Sequence, residues 1–243
     1  MSHDASVVLW KEWRELWRAG PGYERGSPAF AVGVCLLGAW FGGVVLGAPF
    51  GTSWQGPTLA SFLAALTAAS VAVDAFAGER ERHTLETLLA SCLSDRGILL
   101  GKVAAAVSYA WGAAVLFLAA GLVTSRVVHG AQAAEVGLPV LVGLGFSLLV
   151  AVVVAAVGVL VSLRAGTVRQ AQQRLMLSLT ALGFLPYVAL RFLSAEWKAR
   201  VGAWATSLGW WGLLPVAGLL VAAAAVALAL GVARFRRNRL TLW

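Results

Sequence analysis

The sequence predicts an all-α, multi-pass membrane protein. Six transmembrane helices are expected, with an amphipathic helix before the first and a charged helix between the second and third. Hydrophobic residues make up 60% of the 243 positions and charged residues only 12%, an apolar excess that a soluble core of this size cannot bury. Apolar segments recur at the length needed to cross a bilayer, and basic residues gather in alternate loops.

Ahead of the first span, Leu9, Trp10, Trp13, Leu16 and Trp17 fall on one helical face, and Lys11, Glu12, Arg14, Glu15 and Arg18 fill the others. This is the pattern of a helix over about residues 6–18 lying in the membrane interface, with Trp10, Trp13 and Trp17 anchored at headgroup depth. An amphipathic helix packed on protein has the same period. Charges every few residues and no uninterrupted apolar core argue against a cleaved secretory signal in residues 1–18.

A hydrocarbon core takes about 20 helical residues, because backbone groups there must be satisfied within the segment. Six segments qualify: 30–48, 58–77, 103–123, 138–163, 175–193 and 211–233. Pro186 and Arg191 weaken the fifth. The uncharged run 201–233 is too long for one span, and Gly209-Trp-Trp-Gly212 with Pro215 indicates a break, which leaves 201–211 open as an interfacial or re-entrant helix. In the first span Gly38 and Gly42, then Gly43 and Gly47, form small-xxx-small pairs that permit close helix packing in lipid.

Asp74 is the only acidic residue within a span. At the bilayer centre it would cost about 2.5 to 3.5 kcal/mol, but it lies near a helix end, within reach of Arg80 or Arg82. A structural anchor is the expected role, ahead of an ion site.

With the amino terminus inside, the cytoplasmic side carries Lys11, Arg14, Arg18 and Arg25; Arg80, Arg82, Arg96 and Lys102; Arg164, Arg169 and Arg174; and Arg234, Arg236, Arg237 and Arg239. The opposite side has only Arg126, Arg191, Lys198 and Arg200. Both termini are therefore expected in the cytoplasm. The net charge of +8 reports topology, and no basic surface is gathered for a nucleic acid.

Several chemistries are excluded. Cys35 and Cys92 lie far apart and read as free thiols. His3, His83 and His129 fall in three separate regions, so neither a metal-ligand cluster nor a catalytic pair is expected. Gly97-Ile-Leu-Leu-Gly101-Lys102 imitates a phosphate-binding loop, but the glycine spacing is one residue short and Val103 stands where a hydroxyl would hold magnesium.

Between spans two and three, Glu79, Arg80, Glu81 and Arg82 present both charge signs, and Leu85, Leu88 and Leu89 follow at helical spacing. Ser94-Asp95 then marks the start of the next helix. A solvated loop between spans would also carry such charges.

The segment Ala77-Gly-Glu-Arg-Glu-Arg-His-Thr-Leu-Glu-Thr-Leu-Leu-Ala-Ser91, with Leu93-Ser94 and Ile98-Leu-Leu-Gly-Lys102, resembles the signature of ABC transporter permeases of the type-2 exporter (ABC-2) class. The opening Lys11-Glu-Trp-Arg-Glu-Leu-Trp-Arg18 is similar to that family's amphipathic first helix, and the loop 164–174 resembles loops of permeases similar to sodium-efflux subunits. Cys92 departs from the pattern, since proline is common there in the family.

The resemblance implies that residues 1–243 form one permease domain. It implies a coupling helix over about 79–90 seated on a nucleotide-binding subunit, with Glu79, Arg80, Glu81, Arg82, Thr84, Leu85, Glu86, Leu88 and Leu89 as the contact. It implies no catalytic residue and no cofactor in this chain, with ATP and magnesium held by the partner ATPase, and a second permease copy or paralogue. The expected home is a bacterial plasma membrane, suggested by arginine far outnumbering lysine. Charge reversal at Glu79 and Glu81 is expected to uncouple hydrolysis from export while leaving insertion intact. The alternative is an ATPase-driven mechanotransmitter that translocates nothing.

Overall fold

The computed structural model describes residues 2–18, 28–84, 90, 93–130, 136–192, 194, 196–197, 200 and 212–234, without the side chains of 2–3, 17–18, 28, 182–191 and 234. Helix α1 is Ser2–Arg18 and α2 is Pro28–Trp40, which runs into a π-helical turn, Phe41–Val45, and a 3₁₀ turn, Ala48–Phe50. Then follow α3 (Gln55–Glu81), α4 (Asp95–His129), α5 (Leu138–Ser162), α6 (Val168–Phe192) and α7 (Leu213–Arg234).

Four of these helices are long and apolar enough to cross a membrane: Gln55–Glu81, Asp95–His129, Leu138–Ser162 and Leu213–Ala233, with Ala29–Val45 a shorter apolar helix. Among the described residues the chain is all-helical, as a multi-pass membrane protein, and the helix of the first expected span changes form near its end. The first ends early, because the ladder widens to Leu46 N–Phe41 O across Gly42 and Gly43. Gly47 then turns the chain at φ 63°, a left-handed value that glycine adopts without strain. The expected fifth span, 175–193, falls almost wholly within α6, whose first turns carry Arg169, Gln170, Gln172, Gln173 and Arg174 ahead of it, so the helix begins inside the expected loop 164–174. The segment 201–211 lies outside the described residues.

Helix α4 is the spine. Its 35 residues extend about 52 Å, well beyond a hydrocarbon core of about 30 Å. Helix α1 packs along its first turns and α2 along its later ones, while α3 packs on both α4 and α5, and α7 on α5. The α3 face turned inward is a column of alanines, Ala60, Ala64, Ala68 and Ala72, each 0% exposed. Such a face suits lipid, where helices gain little by burying large apolar side chains and associate by close backbone approach. The first-span glycines work the same way within the chain: a Cβ on Gly38 would strike the Phe117 backbone, and one on Gly42 the Gly121 backbone.

At the Gly47 end of the bundle, the Ser125 hydroxyl donates to Gly47 O at 2.9 Å and His129 Nε2 lies 2.9 Å from Gly43 O. The opposite end holds the close of α3, the start of α4 and the whole of α1, and there the charged residues meet.

Candidate functional site

Helix α3 ends in a complete Schellman turn. Thr84 N donates to Glu79 O at 2.9 Å and His83 N to Arg80 O at 3.2 Å, with His83 in the left-handed region at φ 56°. The turn fixes Glu79, Arg80 and Glu81 on the last helical turn and sends the chain abruptly into the segment that follows.

Each of those three side chains is bound to a different part of the molecule. Lys102 Nζ donates to Glu79 Oε1 at 2.8 Å and to Glu12 Oε1 at 2.7 Å, joining α4 to α3 and α1. The Lys102 and Glu79 side chains are 1% and 5% exposed. Burying charges is costly unless they are paired, and here each has its counter-ion. The Lys102 ammonium also sits 5.3 Å from the Phe76 ring centroid, a favourable cation–π position. Lys11 Nζ, on the outer side, lies 3.4 Å from Glu79 Oε1 and 3.3 Å from Glu15 Oε1. Burial alone would lower the Lys11 pKa, but the carboxylates of Glu79, Glu12 and Glu15 together hold it above the ordinary lysine value. Both lysines engage the same Glu79 oxygen; Glu79 Oε2 is buried and has no hydrogen-bond partner among the described residues.

Arg80 points the other way and donates to Ala165 O and Leu163 O, closing the exposed carbonyls at the end of α5. Glu81 Oε1 accepts from Val168 N at 2.8 Å, at the first turn of α6, where a carboxylate suits the helix dipole. Thr167 completes that cap by accepting from Gln170 N at 3.2 Å. Half a turn deeper, the buried Ser162 hydroxyl donates to Val73 O at 2.6 Å and accepts from Ala77 N at 2.9 Å and Phe76 N at 3.1 Å. It thereby ties α5 to the backbone of α3 at one buried point.

Helix α1 is held along a second face. The Asp4 carboxylate accepts from Ser94 Oγ at 2.6 Å and Ser94 N at 3.3 Å, while Ser94 Oγ caps α4 by accepting from Gly97 N. Val8 is 1% exposed and packs against Gly101, where an added Cβ would come within 2.6 Å of Val8 Cβ. Trp13 Nε1 donates to Ser108 Oγ at 2.8 Å. The contacts advance together from Asp4 at Ser94 to Trp13 at Ser108, so α1 runs alongside the first half of α4. Helix α1 is thus packed on protein along this face, the second of the two alternatives. Trp10 is 64% exposed, Trp13 is half-buried, and the Trp17 side chain lies outside the described residues.

The expected coupling helix over 79–90 is therefore divided. Glu79, Arg80 and Glu81 belong to α3, which continues past the membrane-length limit to the Schellman turn; Glu79 is buried, Arg80 half-buried and Glu81 exposed, and each is bonded within the protein. Arg82 pairs with Asp74 at 3.3 Å, across two helical turns, and Arg80 is occupied elsewhere. Thr84 and Ala90 are exposed, and Leu85, Glu86, Leu88 and Leu89 lie outside the described residues. Charge reversal at Glu79 would place a third cation beside Lys11 and Lys102, so it disturbs the fold as well as any coupling.

Sequence reasoning missed Lys102, Glu12, Lys11 and Ser162 as partners of this turn. A signal was present: Gly97 and Gly101, dismissed with Lys102 as a false phosphate loop, form a small-xxx-small pair that admits α1.

Among the described residues, no group of three or more His, Cys, Asp or Glu side chains could hold a metal ion. No curated protein matches the sequence. The family described as ABC-2 family transporter protein matches residues 29–208, a stretch that contains α2 to α6 and the entire close of α3. By that match the chain belongs to the ABC-2 transporter family, as a multi-pass membrane protein.

Proposed function

We propose that the chain is the permease subunit of an ATP-driven exporter, with the ion-paired end of the bundle on the cytoplasmic side and ATP hydrolysed by a separate nucleotide-binding subunit. The observation that carries this reading is the position of Glu79, Arg80 and Glu81. On one helical turn they hold α1 and α4, the end of α5 and the start of α6, and that turn leads within a few residues into 84–90.

A push on 84–90 has a short route into the bundle. The Schellman turn ties Thr84, where the segment begins, to α3 through Glu79 O. The last turn of α3 then moves α4 and α1 through Lys102, and α6 through Val168. Residues 84–90 are then the contact with the ATPase, and Glu79 to Glu81 the linkage behind it.

The test is reconstitution with the ATPase subunit. Glu12→Gln weakens the linkage at the α1 carboxylate that Lys102 holds, so hydrolysis persists while transport per ATP falls several-fold. Unchanged transport per ATP in Glu12→Gln and in Glu81→Gln contradicts the proposal.

A further inference from the structure

The outer face of α1 carries a groove of about 740 Å³ lined by Ser6, Leu9, Trp10, Trp13 and Arg14. These positions recur at three- and four-residue spacing, so the groove runs along one side of the helix, adjacent to the face that packs on α4. Its apolar wall is firm, because the Trp13 indole is tied to Ser108. Its cation is set apart from the network beside it. Lys11 is paired with Glu79, Glu12 and Glu15, and Lys102 with Glu79 and Glu12, whereas Arg14 forms no ion pair among the described residues. The Arg14 guanidinium instead lies 5.1 Å from the Trp10 ring centroid. Helical side chains lean toward the N-terminus, so Arg14 reaches back one turn and leaves five donors at the mouth of an apolar groove.

We propose that this groove binds one anionic phospholipid, its phosphate on Arg14 and the upper part of its acyl chains against Leu9, Trp10 and Trp13. The occupant follows from charge and shape together. An uncompensated guanidinium matches a phosphate diester bidentately, and indole rings suit the boundary between headgroup and hydrocarbon. The inference rests on the reading that puts this end of the bundle at the cytoplasmic membrane surface. It goes beyond that reading by assigning a discrete site where diffuse attraction to the leaflet would otherwise suffice. Because α1 touches Lys102 through Glu12, an occupied groove also loads the linkage from its far side.

The experiment is native mass spectrometry of the full-length permease in detergent, titrated with phosphatidylglycerol or with phosphatidylcholine of the same chains. The wild type retains one phosphatidylglycerol in preference to phosphatidylcholine. Arg14→Gln lowers that retention about fivefold, the value of one basic residue at a membrane surface. Arg14→Lys keeps most of the preference, and Arg96→Gln, an exposed charge outside the groove, leaves it unchanged. Equal loss in Arg14→Gln and Arg96→Gln means diffuse attraction and overturns the site. Equal retention of both lipids, no retained lipid in the wild type, or no effect of Arg14→Gln also overturns it. Labelling of Thr84→Cys by an impermeant maleimide in inside-out vesicles, but not in intact cells, scores the sidedness separately.

Discussion

Glu79 Oε1 and Lys102 Nζ lie 2.8 Å apart at the close of α3, and both side chains are almost wholly buried. Removing one member of a buried pair strands the other and costs about 3–5 kcal/mol. Lys102→Met is expected to be the more severe variant, because it leaves Glu79 and Glu12 facing each other with Lys11 alone nearby. Glu79→Gln leaves Lys102 still bonded to Glu12. The double variant recovers stability, so the two effects are less than additive. Thermal unfolding of the detergent-solubilised protein checks the order; additive losses argue against the pair.

Ser162→Ala removes the buried hydroxyl that donates to Val73 O and accepts from Ala77 N. Losing these hydrogen bonds between α5 and α3 is expected to cost about 1–3 kcal/mol. The sharper readout is hydrogen exchange: Phe76 and Ala77 amides change protection while those of the α3 middle do not.

His83→Gly is expected to stabilise the fold. The left-handed conformation at His83 costs an L-residue roughly 1–2 kcal/mol, and glycine returns part of the gain through the entropy of the unfolded chain. The net rise, up to about 1 kcal/mol, appears as a higher unfolding midpoint, and His83→Val moves it down.

Two glycines of α2 form a matched pair. A Cβ on Gly42 meets the Gly121 backbone, whereas one on Gly33 meets nothing within 4 Å. Gly42→Ala is expected to destabilise by about 1–3 kcal/mol through overpacking, and Gly33→Ala to be neutral or better. Comparable effects in a thermal-shift measurement would contradict the α2–α4 packing.

Lys11 gives the pH dependence its sign. Its pKa is raised in the folded protein, so its contribution is complete below the ordinary lysine value of about 10.4 and is lost as pH rises through the folded value. The wild type therefore loses more stability than Lys11→Gln over that alkaline window, and the two show parallel pH dependence below it.

Much of the architecture was legible because lipid enforces simple rules. The presence of apolar, membrane-length helices, the helix start at Ser94-Asp95 and the close-packing role of Gly38 and Gly42 followed from local sequence. Asp74 was expected to rely on Arg80 or Arg82, and Arg82 is the residue it meets. The site was less legible for a physical reason. A run such as Glu79-Arg80-Glu81 resembles a solvated face, and only the arrangement of helices decides that Lys102, from 23 residues away, and Glu12, from another helix, arrive to neutralise it. Ser162 carries no periodic signal at all, because one buried hydroxyl serves a neighbouring helix and not its own. The amphipathic period of α1 located its tryptophan face but could not reveal that Asp4, Val8 and Glu12 form a second, protein-facing edge.

The central claim is that residues just beyond His83 touch the motor, while Glu79 transmits from behind. Disulfide cross-linking to cysteine-bearing variants of the ATPase subunit tests it most directly, using a permease with Cys35 and Cys92 replaced. The account predicts cross-links from Thr84→Cys and Ala90→Cys and none from Glu79→Cys. Cross-links from position 79 but not from 84 or 90, or labelling of 84 and 90 only from the outer side of the membrane, would contradict it.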